Sequence, residues 1–153
     1  MRDLAKPSRI LVPLSGDPRD NEVVNFACEL AKRNHARLYA VHVIEVKRTL
    51  PLEVDLPQEV ERGENILLKA EEVARKCHQD IETEVLQARD AGTAIVEEAD
   101  RKGIDLIVMG LRYKKQFDQF CLGETVMHVL RSASCRVCIC REPNYSLGQE
   151  HRG

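Results

Sequence analysis

The chain is predicted to fold as an α/β domain with one doubly wound, five-stranded parallel sheet and helices on both faces. Short apolar runs alternate with segments whose apolar residues recur at helical spacing, which is typical of parallel strands joined by right-handed crossovers. After its aspartate, the run DLIVMG is continuously apolar, as expected of a strand buried on both faces. With 153 residues and 43% hydrophobic content, the chain has room for one core of this size.

The first strand and helix are predicted from RILVPL and the residues that follow it. RILVPL is a short apolar run, and GDPRD supplies a turn. Asp17 is expected to cap the helix, with Pro18 at its first position and Asp20 near its positive end. The helix then has one apolar face, made of Val23, Val24, Ala27, Cys28, Leu30 and Ala31.

The next three elements are a strand, a helix and an edge strand. RLYAVHVIEV is the second strand, the polar stretch from Lys47 to Leu56 is a loop, and a helix is expected from about Pro57 to His78. One stripe of that helix is apolar: Val60, Leu67, Ala70, Ala74 and Cys77. IETEVLQA alternates apolar and polar residues, the pattern of a strand with one wet face, so it is placed at a sheet edge.

The last part of the chain supplies a central strand and an edge strand. A third helix is expected from about Thr93 to Lys102, where Gly103 ends it, and DLIVMG follows as a central strand. ETVMHVLRSA is predicted to be a fourth helix with Val126, Val129 and Leu130 facing inward, and CRVCIC is the fifth strand. Open parallel sheets bind ligands beyond the carboxyl ends of central strands, so the site is expected at 14–17 and 109–113.

Charge and hydropathy exclude several classes of partner. The net charge is -2 and the basic residues are scattered, so no electrostatic footprint for nucleic acid is present. No apolar run approaches the roughly 18 residues of a membrane span, and the start MRDLAKPSR does not resemble a secretory signal. We therefore expect a cytoplasmic protein without direct membrane insertion, with an N-terminal extension at 1–7, one domain at 8–141 and a polar tail at 142–153.

The six cysteines are interpreted as structural, reduced thiols. Cys135, Cys138 and Cys140 lie along a predicted strand, and no second pair is present to complete the four ligands of a zinc site. Side chains alternate along a strand, so Cys138 and Cys140 are expected on the same face. No metal site is predicted, and no catalytic residue is assigned. His42 is interpreted as a structural residue of the second strand.

Four blocks, in this order and spacing, resemble the universal stress protein family: RILVPLSGD, AVHVIEV, AIVEEADRKGIDLIVMG and LGETVMHVLRSASCRVCIC. The resemblance covers about Ser8 to Arg141. It implies a Rossmann-like fold of the adenine nucleotide alpha hydrolase type with strand order 3-2-1-4-5, and a homodimer that often forms along the last strand. It also implies that ATP or AMP is the candidate ligand, with Mg²⁺ only alongside the nucleotide.

The nucleotide-binding members carry a glycine, two residues, a glycine, nine residues, and a glycine followed by serine or threonine. In this chain Gly110 and Gly123 match, but Tyr113 replaces the middle glycine and Glu124 replaces the hydroxyl residue, with Thr125 one place late. The binders' aspartate at the end of the first strand is Ser15 here. By the same correspondence, the candidate binding residues are Pro13, Leu14, Ser15, Val43, Met109, Gly110, Arg112, Gly123, Glu124 and Thr125.

Three functions stay open at this point. The first is a non-catalytic dimeric module of stress response or regulation, possessing a degenerate nucleotide pocket and acting through other proteins. The second is an ATP- or AMP-binding switch in which Arg112, Lys114 and Lys115 replace the lost loop features. The third is a slow ATP hydrolase, and domains of this family also occur fused to transporters. Tyr113 and Glu124 both act against phosphate, which favours the first function.

Overall fold

A computed structural model describes residues 6–111, 113–116 and 119–142, with the backbone alone at 113–116 and 119–122. Seven strands and four helices follow one another along this part of the chain. They are β1 Arg9–Pro13, α1 Asp20–Asn34, β2 Arg37–Glu45, α2 Pro57–Lys76, β3 Ile81–Ala88, α3 Ala91–Lys102, β4 Leu106–Gly110, β5 Tyr113–Gln116, β6 Gln119–Leu122, α4 Glu124–Ser132 and β7 Arg136–Cys140.

Five of the strands form one parallel sheet in the order β3-β2-β1-β4-β7. The central strand β1 pairs with β2 through Arg9 and Arg37 at one end of the ladder, and with β4 through Ile10 and Leu106. β3 and β7 are the two edges. The predicted fold class and strand order are therefore confirmed, because β7 is the fifth strand of this sheet.

The core has two layers, one on each face of the sheet. On the first face, α1 and α2 pack against alternate strand residues such as Ile10 and Val12. On the second, α3 and α4 pack against Leu11, Ile107 and Met109. Consecutive residues of β1 and β4 thus contribute to opposite layers, which explains why both strands are continuously apolar.

The start of α1 differs from the prediction. Asp17 does not cap the helix, which begins at Asp20 with Arg19 at the N-cap position and no side-chain cap. The Asp17 carboxylate instead accepts hydrogen bonds from the backbone N–H and the Nε–H of Arg19, at 2.9 and 3.0 Å. An aspartate that bonds the chain two residues onward forms its own turn, so the helix begins two residues later than predicted.

Two further expectations are corrected near the end of the chain. The stretch between Gly110 and Gly123 was expected to be a loop, but β5 and β6 within it pair as an antiparallel hairpin. Leu130 was expected to face inward, but its side chain is 45% exposed, whereas Val126 and Val129 are buried. Leu130 lies about 100° around α4 from Val129, beyond the face that covers the sheet.

The helix boundaries also shift by a few residues. α2 ends at Lys76 with Cys77 as its C-cap, and α3 begins at Ala91 after the capping residue Asp90. Gly103 ends α3 in the left-handed conformation, as predicted, with φ of 65°. In the part of the chain that is described, no helix is both long and apolar enough to cross a bilayer.

A network of charged side chains joins α3 to the edge strand β3. The buried Glu98 carboxylate accepts hydrogen bonds from Arg101 at 2.6 and 2.7 Å and lies 3.4 Å from the Lys102 ammonium. Both cations also reach Glu84 of β3. The Lys102 ammonium lies 5.1 Å from the ring centroid of Tyr39, a cation–π contact.

Helix α2 approaches the sheet most closely at Gly63. A Cβ atom at this position would lie 2.8 Å from His42 Cδ2 and 3.3 Å from Val85 Cγ2. The His42 ring is buried, and its Nδ1 lies 2.8 Å from the carbonyl oxygen of Leu14. Since a carbonyl can only accept, Nδ1 is the protonated donor. Gly63 thus leaves room for the ring that holds the end of β1, and the structural interpretation of His42 agrees with this contact.

We predict that Gly63→Ala destabilises the protein, although alanine is the better helix former. The added methyl group displaces either the buried His42 ring or α2 itself, and such overpacking costs about 1–3 kcal/mol. Urea denaturation measures the free energy of unfolding. Glu64→Ala, at an exposed neighbouring position, is the control and is expected to change stability by less than about 0.5 kcal/mol. Equal or greater stability of Gly63→Ala would contradict the close approach.

Candidate functional site

An open cavity of about 890 Å³ lies at the carboxyl edge of the sheet, where β1 separates from β4. The chain leaves these adjacent strands in opposite directions, and such a switch point is where parallel α/β sheets bind ligands. Apolar side chains from both sides of the switch line the cavity, among them Val41, Ile95, Met109 and Val126. The volume is within the range of small-ligand sites.

Nine of the ten candidate binding residues line this one cavity: Pro13, Leu14, Ser15, Val43, Met109, Gly110, Gly123, Glu124 and Thr125. The tenth, Arg112, lies outside the described residues. The two halves of the expected site, at 14–17 and at 109–113, are therefore brought together as far as the description extends. Whether these residues bind a ligand stays a prediction.

The loop between β1 and α1 satisfies its own backbone N–H groups. Gly16 has φ of 92°, a conformation that favours glycine, and its N–H donates to Asp20 Oδ2 at 2.9 Å. The N–H of Arg19 donates to Asp17. Both aspartates thus occupy donors at the rim of the cavity that an anionic ligand would otherwise use.

The start of α3 is capped in the same way. The Asp90 carboxylate accepts from the Thr93 hydroxyl at 2.7 Å and from the Thr93 N–H at 2.8 Å. These hydrogen bonds, that of the hydroxyl first, lower the pKa of Asp90. The N–H of Ala91, a residue that lines the cavity, donates to Glu45 Oε2 at 3.1 Å. Free N–H groups at a helix start attract anions, but here the chain's own carboxylates already occupy those of Ala91 and Thr93.

The start of α4 is different because Gly123 precedes it. Gly123 is the N-cap residue, in an extended conformation with φ of -69° and ψ of 154°, and no side chain caps the helix. Glu124 takes the first helical position and lines the cavity. Its carboxylate is favourable beside the positive helix end, but it opposes the approach of a phosphate.

The charges around the cavity are mostly negative. Among the described lining residues, six carboxylates face two guanidinium groups, a formal balance of -4. The carboxylates are those of Asp17, Asp20, Glu45, Glu59, Glu124 and Glu142, and the guanidinium groups are those of Arg19 and Arg62. A polyphosphate would bring three or four more negative charges into this surface, so its binding is opposed electrostatically.

The Cys140 thiol beside the site is protonated at neutral pH. Burial, with a smaller effect from Cys138, raises the pKa of Cys140 to about 12, and Cys140 lines the cavity. A thiol attacks as its thiolate, so Cys140 is a poor nucleophile. Cys138 and Cys140 pack against the same core layer, as predicted from strand alternation. Within 6–111, 113–116 and 119–142, no group of three or more His, Cys, Asp or Glu is arranged to hold a metal.

Several lining residues escaped the sequence prediction. Glu45 and Ala91 meet across the β2 and α3 ends through a contact 46 residues apart in sequence. Arg62 belongs to α2 and reaches the loop after β1, where its Nη2 donates to the Ser15 carbonyl oxygen at 3.2 Å. No local sequence motif predicts that these side chains line the cavity, because their positions depend on how the helices pack on the sheet.

The fold and the cavity define a class: a doubly wound parallel α/β domain with a small-ligand cavity at its switch point. Comparison with known proteins then identifies the family. The model described as "Universal stress protein family" matches residues 7–141, and the chain belongs to that family. A universal stress protein of Methanocaldococcus jannaschii is 30% identical over 141 residues, covering 88% of this chain and 82% of that protein.

Solved structures show the same fold. A universal stress protein from Archaeoglobus fulgidus superposes with a TM-score of 0.75 at 23% identity, covering 86% of this chain and 97% of that one. A structure of the universal stress protein from the same organism in complex with dAMP gives a TM-score of 0.70 at 22% identity, covering 86% and 96%. At these identities the similarity establishes architecture alone.

The capping of α3 yields a pH-dependent prediction. Asp90→Ala is expected to destabilise the protein by about 1 kcal/mol at pH 7, the usual cost of losing an N-cap. Because the pKa of Asp90 is lowered in the folded protein, its ionised form stabilises the fold above the unfolded pKa of about 3.9, and this contribution disappears as pH falls through the folded pKa.

Urea denaturation at pH 7 and at stepwise lower pH tests this. The difference between wild type and Asp90→Ala should shrink as the pH falls below about 4. Asp90→Asn is the control, since asparagine also caps helices but does not titrate. If the difference in the free energy of unfolding between wild type and Asp90→Ala stays constant down to pH 2, ionisation of Asp90 does not contribute to the stability of the fold.

Proposed function

We propose that the chain is a non-catalytic, dimeric universal stress protein-type module of stress response or regulation, with a nucleotide cavity that discriminates against triphosphate. Family membership accounts for the fold, whereas the dimer, the regulatory role and the weak binding of triphosphate are proposed for this chain. A nucleoside or nucleoside monophosphate of the adenine type is the ligand class that the cavity favours, and a partner protein reads the state of the dimer.

One observation supports weak binding of triphosphate: the chain's own carboxylates accept hydrogen bonds from backbone N–H groups around the cavity. Asp20 takes the N–H of Gly16, and Glu45 takes that of Ala91. The start of α4 has no side-chain cap, but Glu124 stands at its first position. A triphosphate would have to displace these bonds or accept the nearby negative charges, and both cost binding free energy.

The apolar half of the cavity supports retention of a nucleoside. Val41, Ile95, Met109 and Val126 surround a volume sufficient for a purine and ribose. A relative in the fold comparison was solved with dAMP, which carries one phosphate. The free N–H groups at the start of α4 suit one anionic group better than three, since each further charge meets Glu124 and Glu142.

Catalysis finds no support in the described part of the site. Cys140 is held as a neutral thiol by burial, and the His42 ring is committed through Nδ1 to the Leu14 carbonyl. Hydrolysis needs an activated nucleophile beside an oriented base, and neither residue supplies one. A binding module is therefore the function that these contacts favour over a hydrolase.

The double substitution Tyr113→Gly with Glu124→Ser is predicted to strengthen binding of ATP with Mg²⁺. It restores the family's glycine spacing and removes the carboxylate from the start of α4. Each change is expected to improve the binding free energy of ATP by about 1–3 kcal/mol, the cost of leaving one buried hydrogen-bonding group unsatisfied. The affinity for ATP should therefore rise by about tenfold or more. Isothermal titration calorimetry measures the change.

The matched control is Tyr113→Phe with Glu124→Asp, which keeps the ring and the carboxylate and should show no gain. Low-micromolar binding of ATP by the unaltered protein, or its copurification with ATP, would overturn the proposed discrimination. In that case the switch function becomes the better one, and the basic residues between Gly110 and Gly123 would be the next to substitute.

The dimer is proposed along the edge strand β7. A parallel edge strand exposes unpaired backbone N–H and C=O groups, and β7 pairs only with β4 within the described sheet. Val137 and Ile139 are partly buried on the α3 and α4 side, and Leu130 of α4 is exposed in the same layer. Pairing of two β7 strands around a twofold axis would complete both edges and cover this apolar surface.

Light scattering at micromolar concentration is expected to give twice the monomer mass of 17.4 kDa. Leu130→Glu should shift the protein towards the monomer, because it places a charge beside the proposed interface. Leu68→Glu is the control: Leu68 is similarly exposed, at 53% against 45%, but lies on α2 on the other face. A monomeric wild-type protein, or equal loss of mass by both variants, would contradict the β7 dimer.

A further inference from the structure

His42 has a buried ring that the surrounding chain holds in one orientation. The residue is 6% exposed, and its Nδ1 donates to the Leu14 carbonyl oxygen at 2.8 Å. The N–H of Leu14 in turn donates to the Val41 carbonyl oxygen at 2.8 Å. Gly63 of α2 lies against the ring, since a Cβ there would be 2.8 Å from His42 Cδ2. The ends of two strands and one helix therefore fix the direction of the ring.

The second ring nitrogen, Nε2, borders open space. In the described part of the chain, every fully buried side-chain N or O atom has a hydrogen-bond partner. Nε2 of His42 bonds no described residue, so this atom is not fully buried although the ring around it is. His42 lines the cavity of about 890 Å³ together with Leu14, Ser15 and Glu59. The cavity is the open space that the ring borders, and Nε2 is the polar atom that reaches it.

Nε2 is a hydrogen-bond acceptor. Because Nδ1 donates to a carbonyl oxygen, it carries the proton of the neutral imidazole, and Nε2 carries the lone pair. The carboxylates of Glu45 and Glu59 line the same cavity and are acceptors as well. A ligand that presents N–H or O–H groups fits such a wall, because an acceptor that loses water and gains no donor costs binding free energy.

We propose that His42 Nε2 accepts a hydrogen bond from an N–H or O–H group of the bound nucleoside, and that this bond helps to determine which nucleosides bind. The role rests on the proposed function, because it assumes a nucleoside in the cavity. It adds ligand binding to the structural contact of His42 with Leu14. It leaves the ligand's anionic group at the start of α4.

Calorimetric titrations of the full chain with adenosine and four analogues test this role. Purine riboside lacks the amino group of the base, and three deoxyadenosines each lack a different ribose hydroxyl. The wild-type protein should bind one of these analogues about 3-fold to 10-fold more weakly than adenosine, the range of one neutral hydrogen bond. That analogue identifies the donor group, on the base or on the ribose, that Nε2 bonds.

His42→Asn separates ligand binding from the structural contact. The side-chain nitrogen of asparagine is as many bonds from Cα as Nδ1 of histidine, so a donor for the Leu14 carbonyl is retained, whereas nothing replaces Nε2. This variant should bind adenosine about 3-fold to 10-fold more weakly than wild type. It should also bind adenosine and the discriminating analogue with equal affinity.

His35→Asn is the matched control. His35 is exposed at the C-cap of α1, in a left-handed conformation with φ of 52° that asparagine also adopts. It precedes the amino end of β2, whereas the cavity lies at the carboxyl edge of the sheet. This variant should bind adenosine and every analogue as wild type does. Thermal unfolding of both variants establishes whether the fold is retained.

NMR of the wild-type protein with nitrogen-labelled histidine provides a test that needs no variant. The Nε2 signal of His42, assigned through the ring protons, should be that of a nitrogen without a proton. Saturating adenosine should move this signal upfield, as expected for a lone pair that gains a hydrogen bond. If His42→Asn does not fold, this measurement decides the role of Nε2.

The outcomes separate the role of His42 from the proposed function. An Nε2 signal that adenosine leaves unchanged, or equal discrimination by wild type and His42→Asn, would overturn the role of His42 while the nucleoside cavity stands. Affinities that fall by the same factor for adenosine and all analogues in His42→Asn would show a structural role alone. If adenosine does not bind at millimolar concentration, the proposed function fails and the role of His42 fails with it.

Discussion

The central position of β1 is the constraint on which the rest of the molecule depends. β1 pairs in parallel with β2 on one side and β4 on the other, so the chain must leave these neighbours in opposite directions. That divergence opens the cavity at the carboxyl edge. The position is also why β1 is apolar on both faces: Ile10 and Leu11, adjacent in sequence, serve opposite core layers.

The end of β1 is held from the outside as well as by the sheet. The His42 ring bonds the Leu14 carbonyl, and Gly63 allows α2 to lie against that ring. Arg62, the residue before Gly63 in the same helix, donates to the Ser15 carbonyl oxygen. Neighbouring residues of α2 thus help to fix the shape of the loop after β1, which forms part of the cavity wall.

Most of the fold could be predicted from the sequence, because periodicity directly reports which residues face a core. Short stretches of sequence are enough to predict the apolar stripes of α1 and α2, the continuous apolar run of β4 and the glycine that ends α3. The hairpin of β5 and β6 was missed because YKKQ at Tyr113–Gln116 lacks the apolar alternation of a strand. The prediction that Asp17 caps α1 was wrong because aspartate serves both as a helix cap and as a turn former.

The candidate site was predictable only in part. Its glycines and strand ends sit in recognisable blocks, and nine of the ten expected residues line one cavity. The features that set its chemistry are pairs distant in sequence, such as Glu45 with Ala91 and Arg62 with Ser15. Such pairs follow from the docking of helices on the sheet, which composition and spacing do not encode at any single position.

The charged network at β3 has a consequence for how copies of the chain can assemble. The two edges of the sheet are unlike. Glu84 of β3 lies beside Arg101 and Lys102 of α3, and Gln87 of β3 donates to the carbonyl oxygens of Leu52 and Val54 in the neighbouring loop. Charges and a covering loop are features that discourage strand addition at an edge. Within the described five-stranded sheet, β7 is therefore the edge more open to pairing with another copy, and pairing through one such edge favours closed pairs over the open-ended stacking that produces fibres.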